Sequence, residues 1–153
     1  MRESIHLYFM SIAEAVATRA TCDRAHVGVL IVRDKNILAT GFNGSISGDD
    51  HCDKVGHMMV DNHCVRTIHA EINAVLQAAK NGTAIKGADI YVTTFPCWEC
   101  FKVLANAGIK NIYFKDEYRV NMTVLDVARK LGVKFYKVDE SLHDKVISFG
   151  VFK

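Results

Sequence analysis

The chain has 153 residues, half of them apolar and 24% charged, with 19 basic against 17 acidic side chains and a formal net charge of +2. That balance excludes a disordered chain, and basic residues that never run beyond a scattered pair leave no footprint for nucleic acid. The length predicts a single domain over 1–153; no stretch is long or apolar enough to span a membrane, Arg2, Glu3, His6 and Glu14 interrupt any secretory signal, and five cysteines then predict a cytoplasmic compartment where thiols bind metal or do chemistry.

Ile5, Phe9, Ile12 and Val16 recur at helical spacing, so the first twenty residues predict an amphipathic helix with Ser4 as its cap. Val27 to Val32 and Ile37 to Gly41 are β-rich runs separated by the polar turn Arg33-Asp34-Lys35-Asn36, which predicts a hairpin. From Phe42 to Arg66 the pattern dissolves into a long loop dense in metal-ligand types, with His51, Cys52, His57, His63 and Cys64 inside it and Cys22 just upstream. A helix from about Thr67 to Lys80, ended by Asn81-Gly82, presents His69 at its start. Ala88 to Thr94 predicts a strand, followed by a helix beginning at Pro96 and stopped by Gly108, a strand from Ile109 to Phe114, a helix from about Val120 to Leu131, and a strand from Val133 to Val138. The apolar tail, with Val146, Ile147, Phe149, Val151 and Phe152, is expected to lie against its own domain or a neighbouring subunit. Strands alternating with helices of this length imply βαβ units, giving a three-layer α/β/α fold on a mixed five-stranded sheet.

Two short stretches carry the chemistry: His69-Ala70-Glu71 and Pro96-Cys97-Trp98-Glu99-Cys100. Pro96, the only proline, suits a helix start, where its missing N–H would have no partner anyway, and a helix N-terminus lowers the pKa of a thiol. His69, Cys97 and Cys100 make three metal ligands, the number that holds a catalytic Zn2+ while leaving a fourth position open. Glu71 is required by no ligand count and is the candidate proton carrier. Histidine-x-glutamate followed by P-C-x-x-C is the signature of zinc nucleobase deaminases.

The sequence closely resembles the deoxycytidylate (dCMP) deaminase family of the cytidine deaminase-like superfamily, from about Thr21 to Tyr118. The resemblance is carried by Cys22-Asp23-Arg24, Gly41-Phe42-Asn43-Gly44-Ser45, Cys64-Val65-Arg66 running into His69-Ala70-Glu71-Ile72-Asn73-Ala74, the Pro96 to Cys100 motif, and Tyr118. It implies a cytidine deaminase-like fold and hydrolytic removal of the 4-amino group of dCMP to give dUMP and ammonia, with zinc activating water and Glu71 moving its protons. Arg24, Asn43 and Tyr118 match substrate-binding positions, Arg24 being the natural partner of the 5′-phosphate. The resemblance also implies a homohexamer activated by dCTP and inhibited by dTTP, with Mg2+ accompanying the triphosphate and the turn at Gly41, Asn43, Gly44 and Ser45 as effector site.

A second, structural Zn2+ is implied as well, on Cys22, Cys52 and His57 with either Cys64 or His63; the family often has cysteine where this chain has His57. Two rivals differ in class. A tRNA adenosine or free-nucleoside deaminase would share the motif, although a tRNA enzyme favours a basic surface. A zinc-stabilised binding or assembly protein without catalysis, serving DNA uptake or metabolism, would have no use for Glu71.

Overall fold

The computed structural model describes residues 2–117, 119–142 and 145–150. In chain order the elements are α1 (Ile5–Ala17), β1 (Gly28–Arg33), β2 (Asn36–Phe42), α2 (Cys52–Val55), β3 (Met59–Val60), β4 (His63–Cys64), α3 (Ala70–Lys80), β5 (Asp89–Thr94), α4 (Trp98–Asn106), β6 (Asn111–Asp116), α5 (Met122–Leu131), β7 (Lys134–Val138) and β8 (Val146–Phe149). The main sheet runs β2-β1-β5-β6-β7-β8. Pairs β5–β6 and β6–β7 are parallel, bridged by α4 and α5, and the other pairs are antiparallel.

Side-chain alternation along these strands builds two cores. Val29, Ile31, Ile90, Val92, Ile112 and Phe114 point to the side of α3, α4 and α5, whereas Leu30, Val32 and Tyr91 point to α1 with Phe9, Met10 and Ala13. Fully burying a side chain of this size contributes about 1.5–3 kcal/mol, so both faces of β1 are strongly fixed. This is the expected three-layer α/β/α arrangement. Glycines set the helix spacing at one corner of the sheet: a Cβ on Gly28 would run into the Ala13 carbonyl and Ala17 N–H of α1, and one on Gly41 into the Ala70 carbonyl and Ala74 N–H of α3. Ala70, Ala74 and Ala78, four residues apart, give α3 a flat face for that approach.

Ser4 caps α1 through its hydroxyl, and Asp34 and Lys35 both take positive φ in the two-residue turn between β1 and β2. The sheet has six strands where five are expected. The sixth, β8, comes from the apolar tail, pairs antiparallel with β7 and sends Phe149 against Phe114 at 5.0 Å between ring centroids. Val151, Phe152 and Tyr118 lie outside the described residues. The long loop between Phe42 and Arg66 is also more ordered than expected, carrying α2 and the β3–β4 hairpin, whose turn residues Asp61 and Asn62 again have positive φ. Among the described residues no helix is long and apolar enough to cross a membrane.

Candidate metal and active centre

Two helix starts meet where β5 ends. The helix expected from Pro96 begins at Trp98: Cys97 keeps extended backbone (φ −73°, ψ 167°) at the N-cap, so only Cys100 lies in the first turn. His69 holds the same position on α3 (φ −62°, ψ 150°). Neither side chain caps its helix, because both turn toward the site. Nδ1 of His69 lies 3.3 Å from Sγ of Cys100 and 3.6 Å from Sγ of Cys97. A tetrahedral zinc with sulfur at about 2.3 Å and nitrogen at about 2.0 Å sets sulfur–nitrogen edges of about 3.5 Å. The donor set therefore fits that ion, and two helix N-termini favour the thiolates it requires.

The protonation pattern suits the same purpose. Hydrogen bonding from Cys100 pulls the Cys97 thiol down to about 4 against burial, with His69 assisting, while the same bond and burial push Cys100 up. Glu71 follows in the first turn of α3 and is 4% exposed. Burial raises its carboxyl above the ordinary carboxylate range, with the Cys97 sulfur adding to the rise against its own N–H and His69. A carboxyl raised in this way gives up its proton less readily than an exposed one, which suits a group that carries protons. Trp98, half-buried between the two cysteines, packs toward Phe101 with ring centroids 6.1 Å apart.

A second donor group gathers Cys22, Cys52, His57 and Cys64, all ligand atoms within 4.8 Å of one another. Sγ of Cys52 and Cys64 are 3.6 Å apart, and Sγ of Cys22 is 3.5 Å from Nδ1 of His57, close to tetrahedral edges again. All five cysteines are free thiols. Burial pushes Cys52 up to about 12; burial opposes ionisation of Cys64 too, but backbone hydrogen bonds from Arg66 and Met58 draw it down to about 6. His63, the alternative fourth ligand, is excluded from the group. It is exposed on β4 beside Cys64, and consecutive strand residues point to opposite faces.

The other sequence-derived positions are less concentrated. Arg24 is exposed, its guanidinium resting on the β3–β4 hairpin, 3.5 Å from the Asn62 carbonyl and 3.9 Å from the Met59 sulfur. Asn43 is buried and pins the segment before β1: Nδ2 donates to the Ala25 carbonyl and Oδ1 accepts from Val27 N–H, both at 2.8 Å. The turn expected to meet a triphosphate uses its backbone internally. Gly44 N–H donates to the Ile68 carbonyl, Ser45 N–H to the Thr21 hydroxyl, and Gly41 is packed on α3. Asn73, quoted in the motif but given no role from sequence, donates to the carbonyls of Phe42 (2.8 Å) and Ile68 (3.3 Å), tying both walls of the site to the helix of Glu71.

Comparison with known proteins agrees with this geometry. The profile of the "Cytidine and deoxycytidylate deaminase zinc-binding region" matches residues 3–116. ComE operon protein 2 of Bacillus subtilis is 45% identical over 138 residues, covering 90% of this chain and 73% of that protein. The human deoxycytidylate deaminase is 34% identical over 151 residues, covering 93% and 84%. Among solved structures, the dCMP deaminase of cyanophage S-TIM5 in complex with dCMP and dUMP superposes with a TM-score of 0.77 at 34% identity, covering 90% of this chain and 98% of that one. With the three-ligand centre and its buried acid in place, and these likenesses running through most of its length, the chain belongs to the cytidine and deoxycytidylate deaminase family of zinc hydrolases.

Proposed function

We propose that the chain deaminates dCMP to dUMP and ammonia. One observation carries the reading: a group of only three protein ligands with the buried carboxyl of Glu71 beside it, in the same molecule as a group of four with no buried acid. Zinc held by His69, Cys97 and Cys100 supplies the Lewis acidity that makes water nucleophilic near neutral pH. Glu71 takes the proton of the attacking water, delivers it to N3 of the pyrimidine, and carries the second proton to the departing 4-amino group, so water and dCMP balance dUMP and ammonia. His69 and the thiolates orient the centre. Arg24 meets the 5′-phosphate and Asn43 shapes the nucleoside pocket by fixing the segment before β1; Tyr118, outside the described residues, is kept as a substrate-binding residue on the family resemblance alone. The cyanophage structure binds dCMP and dUMP, which supports a nucleotide over a free nucleoside. Incubating the protein with dCMP, CMP, deoxycytidine and dCTP while following pyrimidine absorbance tests the proposal; preferential loss of dCMP is expected, and preference for deoxycytidine overturns it.

The same proposal includes a structural zinc on Cys22, Cys52, His57 and Cys64, with no open position and a fastening role for the 42–66 segment. Regulation by dCTP and dTTP, with Mg2+ on the triphosphate, and assembly as a homohexamer complete it. Because the Gly44 and Ser45 N–H groups already have partners, an effector would bind this turn through side chains. A hyperbolic, dCTP-indifferent rate curve removes that regulation. The name of ComE operon protein 2 states no deaminase activity, so the second reading is a zinc-stabilised protein without catalysis, and turnover of none of the four substrates would support it.

A further inference from the structure

The four-ligand group has a neighbour that its donor count does not need. His57 turns Nδ1 toward Cys22 Sγ at 3.5 Å, and its other nitrogen, Nε2, lies 3.0 Å from Oδ1 of Asp23. A neutral imidazole carries one ring proton. A carboxylate at Nε2 places that proton there and leaves the Nδ1 lone pair facing the sulfurs.

Resting on the reading of this group as a metal site, we propose that Asp23 is its positioning residue, holding His57 in the tautomer and orientation in which Nδ1 completes the set with Cys22, Cys52 and Cys64. Packing alone does not fix the ring, since the His57 side chain is 27% exposed and follows Gly56, whose positive φ ends the short helix α2. Asp23 directly follows Cys22, so one turn of backbone supplies both a ligand and the acceptor behind a second ligand. As a plain surface contact the pair would contribute little, because the Asp23 side chain is 72% exposed. Its effect therefore falls on metal affinity and ring orientation rather than on the packing of the chain.

The test uses the full-length protein carrying Cys97→Ser, so that only the four-ligand group takes up metal. Zinc-depleted protein is titrated with zinc against a chromophoric chelator, and with cobalt(II) to read the ligand-field spectrum of the site. Asp23→Ala should weaken zinc binding by about 10–100-fold, the usual effect of removing such a partner, and broaden the cobalt spectrum; Asp23→Asn, which keeps an acceptor oxygen without the charge, should fall between. In a His57→Cys background, where the fourth ligand needs no acceptor behind it, Asp23→Ala should change nothing. An Asp23→Ala affinity within about twofold of its parent, or an equal loss in the His57→Cys background, overturns the assignment. A Cys97→Ser chain that binds no zinc at all instead removes the metal reading on which the assignment rests.

Discussion

Gly41→Ala is the perturbation that tests most directly how the sheet positions the acid. The added Cβ would sit 2.5 Å from the Ala74 backbone nitrogen and closer still to the Ala70 carbonyl oxygen. Ordinary contacts begin at about 3.5 Å, and both obstacles are main chain, so no rotamer change relieves them. Helix α3 must withdraw by about 1 Å, and Ala70 lies between His69 and Glu71. Overpacking of this kind costs about 1–3 kcal/mol, which for a domain of this length lowers Tm by about 3–10 °C. A displacement of about 1 Å at a reacting group costs about 100-fold in rate. The assay is kcat/KM for dCMP alongside thermal unfolding. Gly28→Ala is the control on the opposite face: its Cβ meets α1, 2.6 Å from the Ala17 nitrogen and deeper against the Ala13 carbonyl oxygen than Gly41 reaches into α3, so it should lower Tm at least as much while the folded protein keeps its kcat/KM. Gly41→Ala with kcat/KM within about threefold of the parent, or equal losses of activity from both substitutions, would refute the idea that this corner of the sheet sets the position of Glu71.

Glu71→Gln should retain both the fold and the zinc of the catalytic group while deamination falls by at least about 10²–10⁴-fold, measured as single-turnover product formation beside metal content; Cys97→Ser should lose that zinc. Arg24→Ala should raise KM for dCMP by about 10–100-fold, the worth of one hydrogen bond to a charged group, and leave the poor activity on deoxycytidine unchanged; equal effects on both would remove Arg24 from the phosphate. Cys52→Ser should reduce metal content from about two zinc ions per chain to about one, read by elemental analysis. Burial holds the His6 imidazole below its ordinary value against the pull of Asp89, and His6 is bonded to Tyr91 at 2.8 Å. A histidine kept neutral in the fold contributes stability above its unfolded pKa and loses it as pH falls through the folded value. His6→Gln should therefore flatten the decline of Tm between about pH 7.5 and about pH 5.5, relative to the parent protein.

What the sequence disclosed follows the range of the interactions. Gly108 and Gly132 are visible as helix ends because each takes positive φ just beyond the last turn, a local demand that only the glycine itself answers. The His69, Cys97 and Cys100 set is visible because ligand chemistry needs particular residue types at particular spacings. The sixth strand was not, since β8 exists by pairing with β7 and by the fit of Phe149 against Phe114, neither of which its four residues announce. The choice between His63 and Cys64 depends on which face of a two-residue ladder turns inward, and neighbouring residues of suitable chemistry give no hint of that register. The start of α4 moved from Pro96 to Trp98 because Cys97 must leave helical geometry to face His69. Asn43 reads as a substrate residue and Asn73 only as part of the motif, yet the described bonds of both go to backbone, holding the walls of the site.

Trp98 is the only tryptophan in the chain, and it stands between Cys97 and Cys100 with the Lys102 ammonium 5.8 Å from its ring centre. Intrinsic fluorescence excited selectively at the indole therefore samples one neighbourhood and no other. Ion uptake, ion loss or nucleotide entry at the proposed centre would change that emission, so loading could be followed in real time on unlabelled protein, with Tyr8, Tyr91, Tyr113 and Tyr136 as an internal reference for the rest of the fold.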